Sequence, residues 1–326
     1  MYGSMYLLLK TIKEAQHIVI AGHISPDADA IGACFALAHA LANIGKTVRV
    51  VMDDYSDKYT VLPGWEFVIT SEQAYHELHD LFIALDCGDI SRVGDANTPL
   101  FRRSTSIVID HHVHVNEGFG HINIIDTNAS ATCEILFEVI KTLTPITREI
   151  AMCLYAGILT DTGGFRFRAT SPKTMNIVSQ LLTHDFDFSD LYEKLMFEQT
   201  FHQFQGFMSV VNDYTYDHEL DFVYTIATRD KLNSLGITKN DLDGIVNFFK
   251  RIKEMQVAAL AYELAPGKTK ISLRSHRFNV NQIAAYFGGG GHKLASACQF
   301  DLPPDQAIEQ IKDKLRELTC TNSLDS

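Results

Sequence analysis

The sequence has no long apolar run and few prolines. No stretch approaches the ~20 apolar residues that a membrane-spanning helix needs, and the N-terminus shows no basic region followed by an apolar core. With only 8 prolines and 46% hydrophobic residues, the composition excludes a largely disordered chain. We therefore expect a globular, cytoplasmic protein.

Positive charge is also scarce. The chain has 40 Asp and Glu but only 28 Lys and Arg, which gives a formal net charge of −12. Binding to long nucleic acid depends on cations that displace the phosphate counterions, so this balance argues against such a protein. A small or chain-end anion remains compatible with local charge reversal. The single tryptophan further disfavours an aromatic groove that tracks a single strand.

The six cysteines form no CxxC pair, and most of them lie in apolar stretches. We expect them to be reduced core residues rather than disulfides or zinc ligands. They are Cys34, Cys87, Cys133, Cys153, Cys298 and Cys320.

The order of apolar segments predicts two domains. Because single cores stop growing near ~250–300 residues, two domains are expected for this length. Over residues 1–188, short apolar runs such as HIVIA and LFIALD alternate with helical patterns, which predicts a parallel sheet with helices on its faces. Residues 189–214 resemble one long connecting helix that starts at a Ser189 capping box. Residues 215–326 predict a smaller mixed α/β domain.

Acidic and histidine residues follow several predicted strands and one helix. The carboxyl ends of the strands converge in an open α/β sheet, so we expect these side chains to meet. Taken singly, they have simpler interpretations: Asp27 and Asp29 as helix caps, Asp89 as a loop residue, and a surface histidine cluster. In chain order they are His23, Asp27 and Asp29; Asp86 and Asp89; Asp110, His111, His112 and His114; and Asp161.

Mixed aspartate and histidine ligands, with oxygen donors dominant, suit Mn²⁺ or Mg²⁺ better than zinc. The number of side chains is enough for two cations. Two cations a few ångströms apart can clamp a phosphoryl group and lower the pKa of a water molecule, which is the chemistry of phosphoester hydrolysis. Neighbouring side chains on an extended chain face opposite ways, so His111 and His112 should have different roles. His114 is expected to be structural or solvated.

The order of the motifs HxxPDxD, DxxD, DHH and DTGG resembles the DHH phosphoesterase superfamily. The stretches SLRS (272–275) and GGGGHKLASA (288–297) look like the DHH-associated domain of RecJ-type and oligoribonuclease-type members. At this length, and without added sensor modules, the chain is most similar to the nanoRNase/pAp phosphatase (NrnA-like) subgroup. Ala28 and Cys298 stand where glycine is common, which puts only the fine substrate preference in doubt.

The resemblance implies specific roles in the first domain. His112 would face the substrate, donating to a phosphate oxygen or to the leaving group, and Asp110 would orient a histidine. The role of Asp89 stays open. The implied ligands are His23, Asp27 and Asp86 for one metal, and Asp29, Asp86, His111 and Asp161 for the other, with Asp86 bridging.

In the second domain, a run of four glycines leaves backbone amides open, and Arg274, His292 and Lys293 can supply positive charge. We therefore expect a terminal phosphate to bind there. His276 and Ser296 are interpreted more simply as polar loop residues. The predicted substrate-binding residues are Arg274, Ser275, Gly289, Gly290, Gly291 and His292.

The resemblance implies a two-metal hydrolase, with Mn²⁺ preferred and Mg²⁺ as an alternative, that cuts short oligoribonucleotides (nanoRNA) to mononucleotides and pAp to AMP. Its catalytic residues would be His112, Asp110 and Arg274. The partners would be short RNA or small nucleotides, with neither long duplex nor membrane. Alternatives are a cyclic or linear dinucleotide phosphodiesterase, a RecJ-like exonuclease, and a catalytically silent nucleotide-binding regulator. Whether the chain forms a homodimer is left open.

Overall fold

The computed structural model describes residues 2–114, 118–242 and 244–322. The chain divides into two compact units, Met1–Glu198 and Gln199–Ser326, here called the first and the second unit. None of the helices in the described residues is both long and apolar enough to cross a membrane.

The first unit is built on a parallel sheet of six strands. The strands are β1 (His17–Ala21), β2 (Thr47–Val51), β3 (Val68–Ile69), β4 (Leu81–Leu85), β5 (Thr105–Asp110) and β6 (Ile122–Ile125). Their spatial order is β3-β2-β1-β4-β5-β6. The chain leaves β1 toward one edge and returns to the other side of β1 with β4, which opens a crevice at the carboxyl ends of these two strands.

Helices cover both faces of this sheet, which is why its central strands are apolar throughout. Ile18 and Ile20 of β1 belong to one apolar cluster, and Val19 and Ala21 belong to another. The helices are α1 (Tyr2–Glu14), α2 (Ala28–Asn43), α3 (Ser71–His76), α4 (Thr98–Arg103), α5 (Thr132–Leu143), α6 (Arg148–Asp161), α7 (Pro172–Leu181) and α8 (Phe188–Met196).

Helices α2 and α6 pack unusually closely because of glycines. A Cβ atom on Gly32 of α2 would lie 2.4 Å from the carbonyl oxygen of Cys153 in α6. A Cβ atom on Gly157 of α6 would lie 2.5 Å from Oδ1 of Asp29 in α2. The two glycines therefore let α6 approach the N-terminal end of α2, where acidic residues lie.

The prediction of one long helix over residues 189–214 is wrong. The segment contains α8 and a second helix, α9 (Phe201–Asn212), and the N-cap of α8 is Asp187 rather than Ser189. A new capping box starts α9, in which the Thr200 and Gln203 side chains accept hydrogen bonds from each other's backbone amides. Two local start signals therefore override a continuous helical pattern.

The second unit contains a mixed six-stranded sheet of order β11-β12-β10-β9-β8-β7, in which only the β8–β9 pair is parallel. A two-residue turn, Pro266 and Gly267, joins β9 to β10. The strands are β7 (Thr215–Asp217), β8 (Phe222–Ala227), β9 (Val257–Ala265), β10 (Lys268–Ser275), β11 (Gly290–His292) and β12 (Ala295–Phe300). The remaining helices are α10 (Arg229–Leu235), α11 (Ile245–Phe249), α12 (Val280–Tyr286) and α13 (Pro304–Asn322).

The two sheets confirm the predicted α/β class, with a parallel sheet in the first part and a mixed sheet in the second. The cysteines whose side chains the structure describes are free and buried, as expected for reduced core residues. They are Cys34, Cys87, Cys133, Cys153 and Cys298.

Candidate metal centre

The six side chains that the sequence assigned to metal binding lie together at the carboxyl ends of β1, β4 and β5. Together with His112 they form overlapping groups, and the potential ligand atoms within each group lie within 4.8 Å of one another. Asp86 belongs to two groups, as a bridging ligand would. The groups are His23, Asp27 and Asp86; Asp29, His111 and Asp161; and Asp86, His111 and His112.

The first group combines a metal-binding arrangement with helix capping. His23 Nε2 lies 3.6 Å from Asp27 Oδ2 and 3.6 Å from Asp86 Oδ2. The other oxygen of Asp27, Oδ1, accepts hydrogen bonds from the amides of Asp29 and Ala30 at 3.0 Å and so caps α2. Asp27 can therefore act as a metal ligand through Oδ2 and as the cap of α2 through Oδ1 at the same time.

Asp86 is held in an unusual backbone conformation. Its φ of 58° lies in the left-handed region, which residues other than glycine rarely adopt. Its amide donates to the Ile109 carbonyl at 3.0 Å, and Thr132 Oγ1 donates to its Oδ1 at 2.9 Å. These contacts turn a buried carboxylate from the end of β4 into the crevice, and strain of this kind is characteristic of functional sites.

Asp29 is completely buried at the start of α2. Its Oδ2 accepts from the amide of Thr132 at 2.6 Å, and its Oδ1 accepts from the amide of Cys133 at 3.0 Å. These amides belong to the first turn of α5, where backbone donors have no partner within the helix. The N-terminus of α5 therefore fixes this carboxylate.

His111 connects the two groups. Its Nε2 lies 3.1 Å from Asp161 Oδ2 at the end of α6 and 3.6 Å from Asp86 Oδ1. Its Nδ1 lies 3.3 Å from the carbonyl oxygen of Ala129. A backbone acceptor at Nδ1 directs the lone pair of Nε2 toward the carboxylates, as metal-binding histidines require.

Asp110 connects the histidines of the DHH segment. Its Oδ1 lies 2.9 Å from His112 Nδ1, and its Oδ2 lies 2.6 Å from His114 Nε2. The side chain of His112 is 47% exposed, whereas that of His111 is 15% exposed. The two histidines thus differ in environment, as the alternation of side chains indicated. His114, expected to be structural or solvated, is a buried partner of Asp110.

Burial and neighbouring negative charges oppose the ionisation of the two most buried carboxylates of the site, Asp29 and Asp86. Burial, together with the charge of Asp27, raises the pKa of Asp86 to about 6. Burial and the charges of Asp86 and Asp161 raise the pKa of Asp29 well above its usual value. Burial also opposes ionisation of Asp110, but hydrogen bonds from its histidines lower its pKa to about 2.

This donor set fits divalent cations with a preference for oxygen. Buried carboxylates that repel one another gain stability when a cation lies between them. Cys34 and Cys133 are nearby, but burial raises the pKa of both thiols, and neither belongs to a ligand group among the described residues. A donor set of four aspartates and two histidines, with no thiolate, suits Mg²⁺ or Mn²⁺ better than structural zinc.

Sequence reasoning missed two residues of this site. Thr132 supports both Asp29 and Asp86, although a threonine before an apolar helix reads as an ordinary helix start. Arg92 places its Nη2 2.9 Å from His23 Nδ1. Asp89, whose role was open, caps the short 3-10 helix Ile90–Val93 through a bond from the Ser91 amide. Asp89 belongs to none of the ligand groups in the described chain.

The residues predicted to bind a phosphate in the second unit have mixed environments. Arg274 lies on β10 beside β12, and its Nη1 donates to the Leu273 carbonyl. Ser275 is buried, and its Oγ accepts from the amides of Arg277 and Phe278, so it supports the turn after β10. Residues Gly290–His292 are exposed. Gly289 packs against β12, where a Cβ atom would lie 2.2 Å from the Ala297 carbonyl oxygen.

The second unit also contains a basic recess of about 1110 Å³. Its cationic side chains are Lys250, Lys253, Arg277 and Lys293, and no carboxylate of the described residues lines it. The local charge of this surface is therefore opposite to the net charge of the chain, as an anion site requires. His276, expected to be a polar loop residue, is one of its walls.

Comparisons with known proteins show which family this chain belongs to. The DHH family N-terminal domain matches residues 17–158, and the DHHA1 domain matches residues 222–319. The probable bifunctional oligoribonuclease and PAP phosphatase NrnA of Streptococcus mutans is 30% identical over 95% of this chain and 98% of its own length. The corresponding Thermus thermophilus protein is 29% identical over 97% of this chain and 94% of its own.

A solved structure is similar to this chain over nearly its whole length. An exopolyphosphatase-related protein from Bacteroides fragilis has a TM-score of 0.88 and 27% identity, and the match covers 97% of this chain and 96% of that one. This chain belongs to the DHH family and carries a DHHA1 domain in its second unit. Within the family it resembles the NrnA-like oligoribonucleases and pAp phosphatases, which confirms the resemblance stated from its motifs.

Proposed function

We propose that this protein is a two-metal phosphoesterase that hydrolyses short oligoribonucleotides to mononucleotides and pAp to AMP, with Mn²⁺ preferred. The observation that carries the proposal is the set of overlapping ligand groups, in which Asp86 lies with His23 and Asp27 and also contacts His111 of the group with Asp29 and Asp161. The names of relatives similar over nearly the whole chain support the substrate class.

In this proposal, His23, Asp27 and Asp86 hold one cation. The second cation is held by Asp29, Asp86, His111 and Asp161. Bound divalent cations supply Lewis-acid charge at the phosphoryl oxygens and lower the pKa of a water molecule. The chain contributes a rigid frame, because Thr132 and the first amides of α5 fix the two most buried carboxylates.

His112 acts as the proton donor to the departing oxygen. Its Nδ1 faces Asp110, so its Nε2 is left for the substrate. The hydrogen bond with Asp110 is the main cause that raises the pKa of His112, and this favours the protonated imidazole that donation needs. Asp110 acts through His112 and is therefore a positioning residue.

The second unit binds the phosphate and sugar groups of the substrate. Arg274, the exposed segment Gly290–His292 and the basic recess supply donors and positive charge to a chain that is acidic overall. A guanidinium pairs with two phosphate oxygens at once, which favours short anionic ligands. Ser275 contributes to this surface by holding the turn that follows β10.

Product analysis on a panel of substrates tests the proposal. The panel contains 5′-labelled RNA from two to about twenty-four nucleotides, pAp and cyclic dinucleotides, each with Mn²⁺ or Mg²⁺. We expect the shortest RNAs and pAp to be turned over fastest, and we expect Asp86→Ala to lose at least ~100-fold in kcat because it removes the shared ligand.

Three outcomes would contradict parts of this assignment. Preference for cyclic dinucleotides would identify the alternative phosphodiesterase. Absence of hydrolysis on every substrate would favour a nucleotide-binding regulator. Retention of most Mn²⁺-dependent activity in Asp86→Ala would show that the ligand assignment is wrong.

A further inference from the structure

Arg92 lies at the edge of the candidate metal centre, and neither the motifs nor the proposed mechanism gives it a role. Its carbonyl oxygen accepts a hydrogen bond from the Ile24 amide at 2.8 Å. Its Nη2 lies 2.9 Å from His23 Nδ1. Asp89 caps the short helix that carries Arg92. Backbone and side chain thus both fix Arg92 against the loop that follows β1.

The Nδ1 atom of His23 has two neighbours with opposite requirements. The carbonyl oxygen of Ile24, 2.9 Å away, only accepts, so it needs a hydrogen on Nδ1. The guanidinium of Arg92 only donates, so it needs a lone pair on Nδ1. One ring nitrogen cannot serve both, and the two contacts are therefore alternatives.

A cation decides between these alternatives. Nε2 of His23 is the nitrogen that faces Asp27 and Asp86. When Nε2 gives its lone pair to a metal ion, the neutral ring carries its hydrogen on Nδ1. That hydrogen goes to the Ile24 carbonyl, and Arg92 loses its acceptor on the ring.

The guanidinium of Arg92 contacts the His23 ring rather than a carboxylate. Among the described residues Arg92 forms no ion pair with an acidic side chain, and the residue is exposed. Asp27 and Asp86 face the other ring nitrogen of His23 as members of a ligand group. A planar guanidinium offers donors in a fork that fits two oxygens of a phosphoryl group.

We propose that Arg92 binds the phosphoryl group of the substrate once a metal ion is bound at His23, and that it is a further catalytic residue of this site. The inference rests on the proposed phosphoesterase function. Arg92 supplies positive charge from the same unit as the metal ligands, independently of Arg274 in the second unit. Metal binding and phosphate binding are coupled through the two faces of one imidazole.

The test compares Arg92→Ala and Arg92→Lys with Arg102→Ala, an exposed arginine of α4 that serves as the matched control. Calorimetry measures binding of Mn²⁺ alone and then of AMP to the Mn²⁺-loaded protein, and kinetics are measured with pAp and a diribonucleotide. For Arg92→Ala we expect Mn²⁺ affinity within ~3-fold of wild type, AMP affinity lower by ~10-fold or more, and kcat/KM lower by ~100-fold. Arg92→Lys should retain part of the AMP affinity and of kcat/KM that Arg92→Ala loses. The control, Arg102→Ala, should behave as wild type in every measurement.

Two results would overturn the inference. If Arg92→Ala lowers Mn²⁺ affinity as much as it lowers AMP affinity, Arg92 only supports His23. If AMP affinity and kcat/KM both stay within ~3-fold of wild type, Arg92 does not contact phosphate. Failure of the wild type to hydrolyse any substrate would contradict the proposed function instead, and the AMP titration would still decide the role of Arg92.

Discussion

Asp86 makes the stability of the metal-free protein depend on pH. Its pKa of about 6 exceeds the ordinary value of 3.8, so the folded state binds this proton more tightly than the unfolded state does. This contribution to the free energy of unfolding is present at low pH and is lost as pH rises through about 6. The loss is on the order of 2 to 3 kcal/mol.

The predicted pH dependence of stability can be checked by denaturant unfolding of chelator-treated protein at pH 4.5 and pH 7.5. The Asp86→Asn variant is the comparison. Relative to the variant, the wild type should become less stable as pH rises, and added Mn²⁺ should reverse the trend. Parallel pH dependence in the two proteins would show that Asp86 does not carry this shift.

Asp110 should control how His112 titrates during catalysis. Asp110→Asn removes the charge that raises the pKa of His112, so the alkaline limb of the kcat profile should move to lower pH. We expect kcat to fall by ~10- to 100-fold with Mn²⁺ affinity little changed. His114→Gln, which alters the other partner of Asp110, is the control and should leave the alkaline limb in place. An unshifted limb in Asp110→Asn would rule out this positioning role.

At the level of secondary-structure elements, the N-terminus of α5 should set metal affinity. Thr132→Val keeps the backbone amide that binds Asp29 but removes the hydroxyl that donates to Asp86. Loss of such a supporting bond lowers metal affinity by about 10-fold. Thr142→Val on the same helix is the control, because its hydroxyl donates only to the Val139 carbonyl. Equal Mn²⁺ affinities in the two variants would contradict the prediction.

The close approach of α6 to α2 should also affect both stability and metal binding. In Gly157→Ala, the added Cβ atom would lie 2.4 Å from Cys133 Sγ and 2.5 Å from Asp29 Oδ1. We expect a loss of about 1 to 3 kcal/mol of stability together with weaker Mn²⁺ binding. Adding Cys133→Ala removes the clash with sulfur but leaves the clash with Asp29. The double variant should regain stability and not metal affinity, and recovery of both would show that Asp29 is not displaced.

The sequence predicted that the candidate ligands would cluster because several of them follow an apolar strand or end an apolar helix, as Asp86 and Asp161 do. Thr132 and Arg92 carry no such signal, since a hydroxyl at a helix start and a guanidinium in a loop acquire a role only through contacts distant in sequence. The break between α8 and α9 was missed because a local capping box outweighs helical periodicity.

On the scale of the whole molecule, we expect the two units to contribute separately to activity. Arg274→Ala should raise KM for nucleotides by ~10-fold or more while leaving hydrolysis of bis-p-nitrophenyl phosphate nearly unchanged, because the small ester has no sugar or second phosphate to bind. Lys270→Ala is the control, since Lys270 lies four residues away on the same face of β10. Equal losses on both substrates would contradict a substrate-binding role for the second unit.

The burial of Asp29 and Asp86 has a further consequence for how this protein can evolve or be engineered. Both carboxylates are nearly inaccessible and both resist ionisation. Neutral substitutions at these positions should therefore be selected readily in any screen for thermal tolerance, and each would eliminate the cation site. A stability screen without an activity screen would drive this fold toward a scaffold without the proposed metal centre, because burial of these carboxylates costs stability.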